Sequence, residues 1–427
     1  MRPPTARRPF RVSLLLLATL GAAACVSEST AVAYTQATIW DGTGRAPYVG
    51  TLVVDSGRIV AAGTDVEAPP GAAIVVLEGR YVLPGMIDAH AHVTGAWAPD
   101  DVADPVARVR ADLLLFARYG VTTVNSLGDE PPTLQARDAD PDPRTHARVL
   151  AAGPVIAATD PAAARADALA HADAGVDWLK VRVDDELGTV PKMPWDAVAA
   201  VIEAGRERGL RVATHLYYLD DAKRLLQLGT GLLAHSVRDR DVDAELLDMV
   251  RASGVCYVPT LVRDLSTFVY ASRPEWFDDP FFLAHAHRGQ VEATAAPDFV
   301  AGQRSPAAAT YRAALARAQR NLKVLSDAGL PIAFGTDAGP AARFPGYFEH
   351  LELALMVDAG LTPEQALISA TSGAARCLGL DEVGTLEPGR RADFLVLGAD
   401  PLVDIVNTRR LEGVYVGGAR IEGPSAP

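Results

Sequence analysis

The period of the hydrophobic positions changes along the chain and divides it into three zones. Between residues 35 and 78, short apolar and β-branched runs alternate with turn residues. They predict strands at 35–40, 48–55, 58–62 and 73–78, punctuated by Gly42, Gly44, Gly57, Gly63 and Pro69-Pro70-Gly71. A further apolar run at 81–87 closes on the polar string Asp88-Ala89-His90-Ala91-His92. The middle zone alternates short apolar runs with amphipathic stretches of helical spacing. It predicts strands at 121–126, 148–156, 178–183, 211–215, 231–235, 255–261 and 331–336. Helices are predicted at 104–119, 161–174, 194–208, 219–228, 241–252, 307–328 and 348–358. The last zone returns to short strands, 392–397, 413–416 and 419–422, with a turn at 384–388 and a Gly417-Gly418 hairpin.

Eight strands, each followed by a helix or a long connection, imply an α/β fold with parallel strands and right-handed crossovers. The expected architecture is a (β/α)8 TIM barrel over residues 84–383. Neither flanking piece has enough apolar surface to stand alone. Residues 34–83 and 384–427 are therefore expected to combine into one small β-sandwich. A chain of 427 residues, 49% of them hydrophobic, accommodates a barrel of about 250 residues and such an appendage.

The N-terminus changes the picture of where the chain works. Residues 2–11 are basic, 12–20 are mostly apolar, 21–24 are small, and Cys25 follows. This pattern resembles a bacterial lipoprotein signal. It predicts a signal peptide at 1–24, a lipidated Cys25 and a tether at 25–33. Ala22 stands where leucine is favoured, and an ordinary secretory signal is the alternative. Val26, rather than an acidic residue, resembles sorting to the outer membrane, so the expected location is extracytoplasmic, lipid-anchored in the periplasm. No other apolar run approaches the roughly 18 residues a membrane span needs. The net charge of −13 argues against a nucleic-acid partner. The remaining cysteines, Cys256 and Cys377, sit in apolar contexts without ligand spacing, and are expected to be separate buried thiols rather than a disulfide. Any metal site must then use nitrogen and oxygen.

In a barrel of this kind active groups lie at the C-terminal strand ends. Strand one ends at His90 and His92, whose i, i+2 spacing puts both side chains on one side of a strand. Strand five ends at His215, strand six at His235 and strand eight at Asp337. Four of nine histidines thus fall at strand ends, where imidazole is a common ligand for zinc. Lys180 lies inside an apolar strand, where burial depresses its pKa. A neutral amine can add carbon dioxide and become a bidentate carbamate; pairing with Asp184 or Asp185 is the bland alternative.

The strings Leu83-Pro-Gly-Met-Ile-Asp-Ala-His-Ala-His92, Leu179-Lys-Val181, Ala213-Thr-His-Leu-Tyr217, Leu233-Ala-His-Ser236 and Gly335-Thr-Asp-Ala-Gly339 together resemble the amidohydrolase superfamily. The likeness is to its binuclear, carboxylated-lysine branch, near the imidazolonepropionase-like and Xaa-Pro dipeptidase-like members. It extends to Leu361–Leu367 and to the Gly384–Phe394 string. The resemblance implies two divalent ions, zinc expected, one held by His90, His92 and Asp337 and the other by His215 and His235. Carboxylated Lys180 and a hydroxide would bridge them. Asp337 would act as general base and then acid, and Tyr217 would contact the substrate carbonyl or carboxylate, unless it only packs the barrel rim.

Departures from the family pattern bear on the substrate. A Gly-Gly-His segment of many relatives is Ala158-Thr-Asp-Pro161 here. The acidic pair Asp184-Asp185 could face the pocket and suit a cationic group; a capping or solvated role is the alternative. Residues 263–305, rich in aromatics, read as a lid over an apolar pocket, the alternative being an excursion packed on its own rings. Arg263 is placed to pair with a substrate carboxylate or in a structural salt bridge. His285 and His287 form a second His-x-His, but a helix predicted at 281–292 would make them diverge. His146, His171 and His350 are expected to be structural.

The expected activity is hydrolysis of an amide-type C–N bond in a small-molecule substrate, a dipeptide or N-acyl amino acid. The alternatives are a lactone or phosphoester hydrolase, then a deaminase, then a binding lipoprotein on an inactive barrel. A membrane is involved only through Cys25, and a homo-oligomer is compatible with the sequence.

Overall fold

The computed structural model describes residues 30–422. The expected signal peptide 1–24, Cys25 and most of the tether lie outside the described residues. β1 (Val32–Ile39), β2 (Tyr48–Asp55), β3 (Arg58–Gly63), β4 (Ala73–Val76) and β5 (Tyr81–Pro84) come first. The single strand expected at 81–87 breaks in two at Gly85, and β6 (Met86–Ala91) belongs to the barrel instead. The break has a steric cause: a Cβ on Gly85 would lie 2.2 Å from Thr122 Oγ1, so the backbone turns the corner against Thr122 only because residue 85 has no side chain.

α1 (Pro105–Arg118), β7 (Val121–Ser126), α2 (Pro131–Ala139), β8 (Arg148–Ala151), α3 (Pro161–Asp173) and β9 (Trp178–Arg182) follow. Next come α4 (Trp195–Arg208), β10 (Arg211–His215), α5 (Leu219–Leu228), β11 (Leu232–Ala234), α6 (Ala244–Ser253) and β12 (Cys256–Val258). Helix starts follow their caps: Asp104, Asp160 and Asp243 each accept a backbone N–H from the first turn. Glycines in left-handed conformation end α4, α5 and α6.

Strands β9 to β12 form one parallel ladder and β6 to β8 another. Asp177 N–H donates to Ala151 O at 2.8 Å and Ile156 N–H to Lys180 O at 2.9 Å, joining the end of β8 to β9. The strand expected at 331–336 is not a regular strand. Its Ala333 N–H bonds Tyr257 O of β12 at 3.0 Å, and its Phe334 O accepts Ala89 N–H of β6 at 2.8 Å. Phe334 N–H, however, goes to Ser369 O at 2.9 Å, so the segment is shared between neighbours instead of zipping onto one. Registers Trp178↔Arg211, Lys180↔Ala213 and His215↔Ala234 put Trp178, Lys180, Ala213, His215 and Ala234 on one side of the sheet. Leu179, Val181, Val212 and Leu233 face the other way into a buried layer with Val198, Ile202 and Leu225 of the helices. Full burial of each such leucine contributes roughly 1.5–3 kcal/mol.

The segment after β12 holds α7 (Leu261–Leu265), α8 (Pro280–Leu283), α9 (Arg288–Ala293) and α10 (Pro297–Gly302) before the long α11 (Pro306–Asp327). The continuous helix expected at 281–292 is absent; the chain breaks between α8 and α9, so His285 and His287 lie in a turn. The aromatic side chains are spent on packing. Phe277 stacks on Phe282 at 5.3 Å, and Phe282 meets Phe344 and Tyr347 at 5.0 Å each. The segment packs partly on its own rings and partly on Phe344 and Tyr347 beyond it, as part of the main core.

α12 (Tyr347–Asp358), α13 (Pro363–Ile368) and α14 (Ala374–Leu378) complete the helices. β13 (Phe394–Leu397), β14 (Leu411–Val416) and β15 (Ala419–Ile421) pair back to the first zone. The two ends form one eight-stranded sheet, β15-β14-β13-β5-β1-β2-β3 with β4 also on β1. Ile59 N–H donates to Arg390 O, and Gly389 N–H to Ile59 O, so the sheet curls until β3 meets the chain leading into β13. Cys256 and Cys377 correct the expectation of separate thiols: they form a disulfide, Cα–Cα 5.9 Å, between the start of β12 and α14. Their separation of 121 residues hid the pairing, which depends on α14 folding back beneath the strands. Among the described residues no helix is long and apolar enough to cross a membrane.

Candidate metal centre

The inward registry of β9 and β10 brings Lys180 and His215 toward the strand ends of β6 and β11. Lys180 Nζ lies 3.2 Å from His90 Nε2. His92 Nε2 is 2.8 Å from Asp337 Oδ1, and His90 Nε2 is 3.5 Å from the same oxygen. The His90 and His235 rings are 4.6 Å apart, those of His215 and His235 4.0 Å. One ligand atom from each of His90, His235 and Asp337 falls within 4.8 Å of the others. These contacts link His90, His92, Lys180, His215, His235 and Asp337 into one continuous cluster.

The backbone here is held in uncommon conformations. His235, Thr260 and Asp337 have φ of 142°, 47° and 59°, values that cost free energy and cluster at functional sites. Gly339, at φ 113°, lets the loop after Asp337 pass against β6; a Cβ there would sit 2.0 Å from His92 O. Asp88, quoted in the first motif without a role, pins the same two segments. Its Oδ1 accepts His90 N–H at 2.8 Å, and its Oδ2 accepts the Thr336 hydroxyl at 2.5 Å.

Burial shifts the protonation of the clustered groups. Burial holds the His90 and His235 imidazoles well below their ordinary pKa, and that of His215 down to about 3, so all three are neutral with a lone pair to offer. Burial lowers Lys180 to about 8, against the pull of Asp337 and Asp129. Burial pushes the Asp337 carboxyl up, but Arg343, His92 and His90 outweigh it and hold it well below the usual range. His235 Nδ1 pairs with Thr260 Oγ1 at 2.6 Å, while its Nε2 is buried without a partner, as is His90 Nδ1. Orphaned buried imidazole nitrogens beside an ionised carboxylate fit a divalent cation, and the nitrogen and oxygen donors suit zinc.

The remaining expected contacts divide. Tyr217 is buried, its ring 4.7 Å from the Arg238 guanidinium. Arg263 is buried, pairs with Asp264 at 2.9 Å, and holds its Nε 4.0 Å from Asp337 Oδ2. Asp184 and Asp185 do not face a pocket as free acids: Asp184 Oδ2 meets His215 Nε2 at 2.9 Å and Asp185 Oδ1 accepts the Tyr218 hydroxyl at 2.8 Å. His350 bridges Thr408 Oγ1 and Tyr119 O, 2.9 Å each. Arg343, which sequence reasoning missed, ion-pairs with Asp337 through Nη1. It stands six residues past Asp337 in an irregular loop, where no periodicity marks it. Asp129, also missed, is buried just beyond β7 with one carboxyl oxygen unpaired.

A barrel-based α/β fold with this cluster at its strand ends is that of a metal-dependent hydrolase. The chain belongs to the amidohydrolase family, whose profile matches residues 81–421. It is similar to the imidazolonepropionase of Deinococcus deserti, 28% identical over 391 residues that cover 84% of this chain and 87% of that protein. Among solved structures it is similar to a Bifidobacterium longum protein assigned as a prolidase, with TM-score 0.75 and 25% identity, covering 94% of this chain and 97% of that one. A Xaa-Pro dipeptidase with methionine bound in its active site shares the fold at TM-score 0.72 and 21% identity, covering 92% and 100%.

Proposed function

We propose that the chain hydrolyses an amide-type C–N bond in a dipeptide or N-acyl amino acid, using two divalent ions in a closed eight-stranded barrel. His90, His92 and Asp337 would hold one ion, His215 and His235 the other, with carboxylated Lys180 between them. Bound ions of this kind supply Lewis acidity toward the scissile carbonyl and lower the pKa of water. The observation that carries the proposal is the gathering of His90, His215 and His235, kept neutral by burial, with His92, the buried Lys180 and the ionised Asp337 carboxylate.

Asp337 is the group able to move a proton. Ionised, it accepts the proton of the attacking water and then delivers it to the leaving amine nitrogen. Arg343 keeps it ionised and orients it, and Arg263 stands close enough to do the same or to meet a substrate carboxylate as a planar fork. Tyr217 would contact the substrate beside His215, a reading supported by a ring held 4.7 Å from the Arg238 guanidinium.

The same proposal places the protein outside the cytoplasm, anchored through Cys25. The buried Cys256–Cys377 bond supports an oxidising compartment.

The test is amine release by zinc-loaded protein comprising residues 26–427 across a panel of dipeptides and N-acyl amino acids. Release from a subset, lost in Asp337→Asn, is the expected result. No release from any member, by protein holding two ions per chain, would transfer the proposal to lactones and phosphoesters.

A further inference from the structure

The excursion 263–305 encloses a cleft of its own. Residues between 270 and 277 line one part of it, and residues between 291 and 304, from α9, α10 and their flanks, line the rest. Its volume is about 440 Å³, within the range of small-molecule sites. One side chain ties the two parts together. Gln303 Oε1 accepts Tyr270 N–H at 3.2 Å, and Gln303 Nε2 donates to Ser266 O at 3.1 Å. The end of α10 is thereby fixed to the chain that enters the cleft. Ala295, in the link between α9 and α10, lines the space and is too small to fill it.

The cleft is apolar inside and charged at its rim. Tyr270, Pro274 and Phe277 are buried, and Val291 and Val300 are half-buried. The Tyr270 hydroxyl is already engaged, donating to Ala342 O at 2.6 Å. Three charged side chains line the cleft, and two of them are neutralised. Arg273 Nη2 meets Asp278 Oδ1 at 2.8 Å, and Glu292 Oε1 meets Arg288 Nε at 2.7 Å. Arg304 differs. Its Nη2 donates to Ala271 O at 2.6 Å, and among the described residues no carboxylate pairs with it. A guanidinium carries five N–H donors, so Arg304 is anchored with donors to spare. In a chain of net charge −13, this is an uncompensated cation at the edge of an apolar cleft.

We propose that this cleft binds a small monocarboxylate with an alkyl or aryl body. The body lies against Phe277, Val291 and Val300, and the carboxylate meets Arg304. Burial of the body supplies the affinity, and the planar pairing with the guanidinium supplies the choice of charge. A cationic ligand would meet Arg304 as a like charge, and a neutral one would leave it unanswered. None of the lining residues is a proposed ion ligand or substrate contact. The site goes beyond the hydrolase reading and does not depend on it.

The test is calorimetric titration of octanoate, octanol and octylamine into protein comprising residues 26–427, both zinc-loaded and metal-free. Octanoate is expected to bind one molecule per chain in both forms, with Kd on the order of 0.1–1 mM. Octanol is expected to bind about tenfold more weakly, and octylamine not at all. Arg304→Ala is expected to weaken octanoate about tenfold and bring it level with octanol; Arg304→Lys is expected to recover part of the loss. Ala295→Trp, at an exposed position, fills the cleft and is expected to abolish binding of octanoate and octanol alike. Octanoate that binds only the zinc-loaded form, or that binds Ala295→Trp as it binds the wild type, lies elsewhere and would overturn the proposal. Equal affinity for octylamine would overturn the assignment of a carboxylate. Absence of saturable binding short of micelle formation would overturn the site itself. Every outcome is read from binding alone, so a failure of amine release leaves the test intact.

Discussion

His90-Ala-His92 and His285-Ala-His287 have the same spacing and opposite situations. The first pair rides a strand, so both rings turn to one side and meet Asp337 at 3.5 and 2.8 Å. The second pair lies in the break between α8 and α9. There His285 sets its ring edge-on to Tyr119 at 5.7 Å, and His287 caps α9 by accepting Gln290 N–H at 3.3 Å. A His-x-His is a ligand pair only where the backbone is extended and the strand end opens on other donors. The spacing has no meaning apart from the element that carries it.

Substitutions separate the two pairs experimentally. The largest expected effect belongs to the carboxylate that the first pair contacts: Asp337→Asn is expected to lower kcat by about 10²–10⁴-fold in a folded protein, measured by amine release. A variant that keeps its turnover would remove Asp337 from the chemistry. Next, His92→Ala is expected to lose one zinc ion per chain, whereas His285→Ala is expected to retain the wild-type count. Equal losses would abolish the distinction between the pairs. Zinc at about a hundred times its Kd is expected to raise stability by about 2.7 kcal/mol per site, seen as a rise in Tm. His90→Ala should shrink that rise and His287→Ala should preserve it. The smallest effect is His287→Ala alone, where loss of a helix cap is expected to cost about 1 kcal/mol or less, read from a denaturant midpoint.

What could be read in the chain and what could not divides along physical lines. Period-2 and period-3.6 patterns located most strands and helices to within a residue or two, because each element buries one face. His215 and His235 are legible because they stand at the ends of β10 and β11, whereas Asp337 follows a segment that forms no regular strand. The break at Gly85 was not, since it depends on Thr122 arriving from another strand. Asp184 could be seen as acidic but not as the partner of His215, because the contact depends on a turn with two left-handed residues. Arg343 lies in a loop whose path no pattern encodes. Cys256 and Cys377 are brought together by α14, and nothing local to either residue signals the other.

The curled sheet also sets an order of assembly. β5 hydrogen-bonds β1 on one side and β13 on the other, pairing residues 81–84 with 394–397. A ribosome makes β5 more than three hundred residues before its second neighbour exists. Until the last strands emerge, β5 is an open edge and Val82 lacks the core it shares with Phe394 and Val396. The barrel is thus an insertion inside a sheet that closes last, and a nascent chain stopped short of β13 would carry all the residues proposed as metal ligands on an unfinished protein.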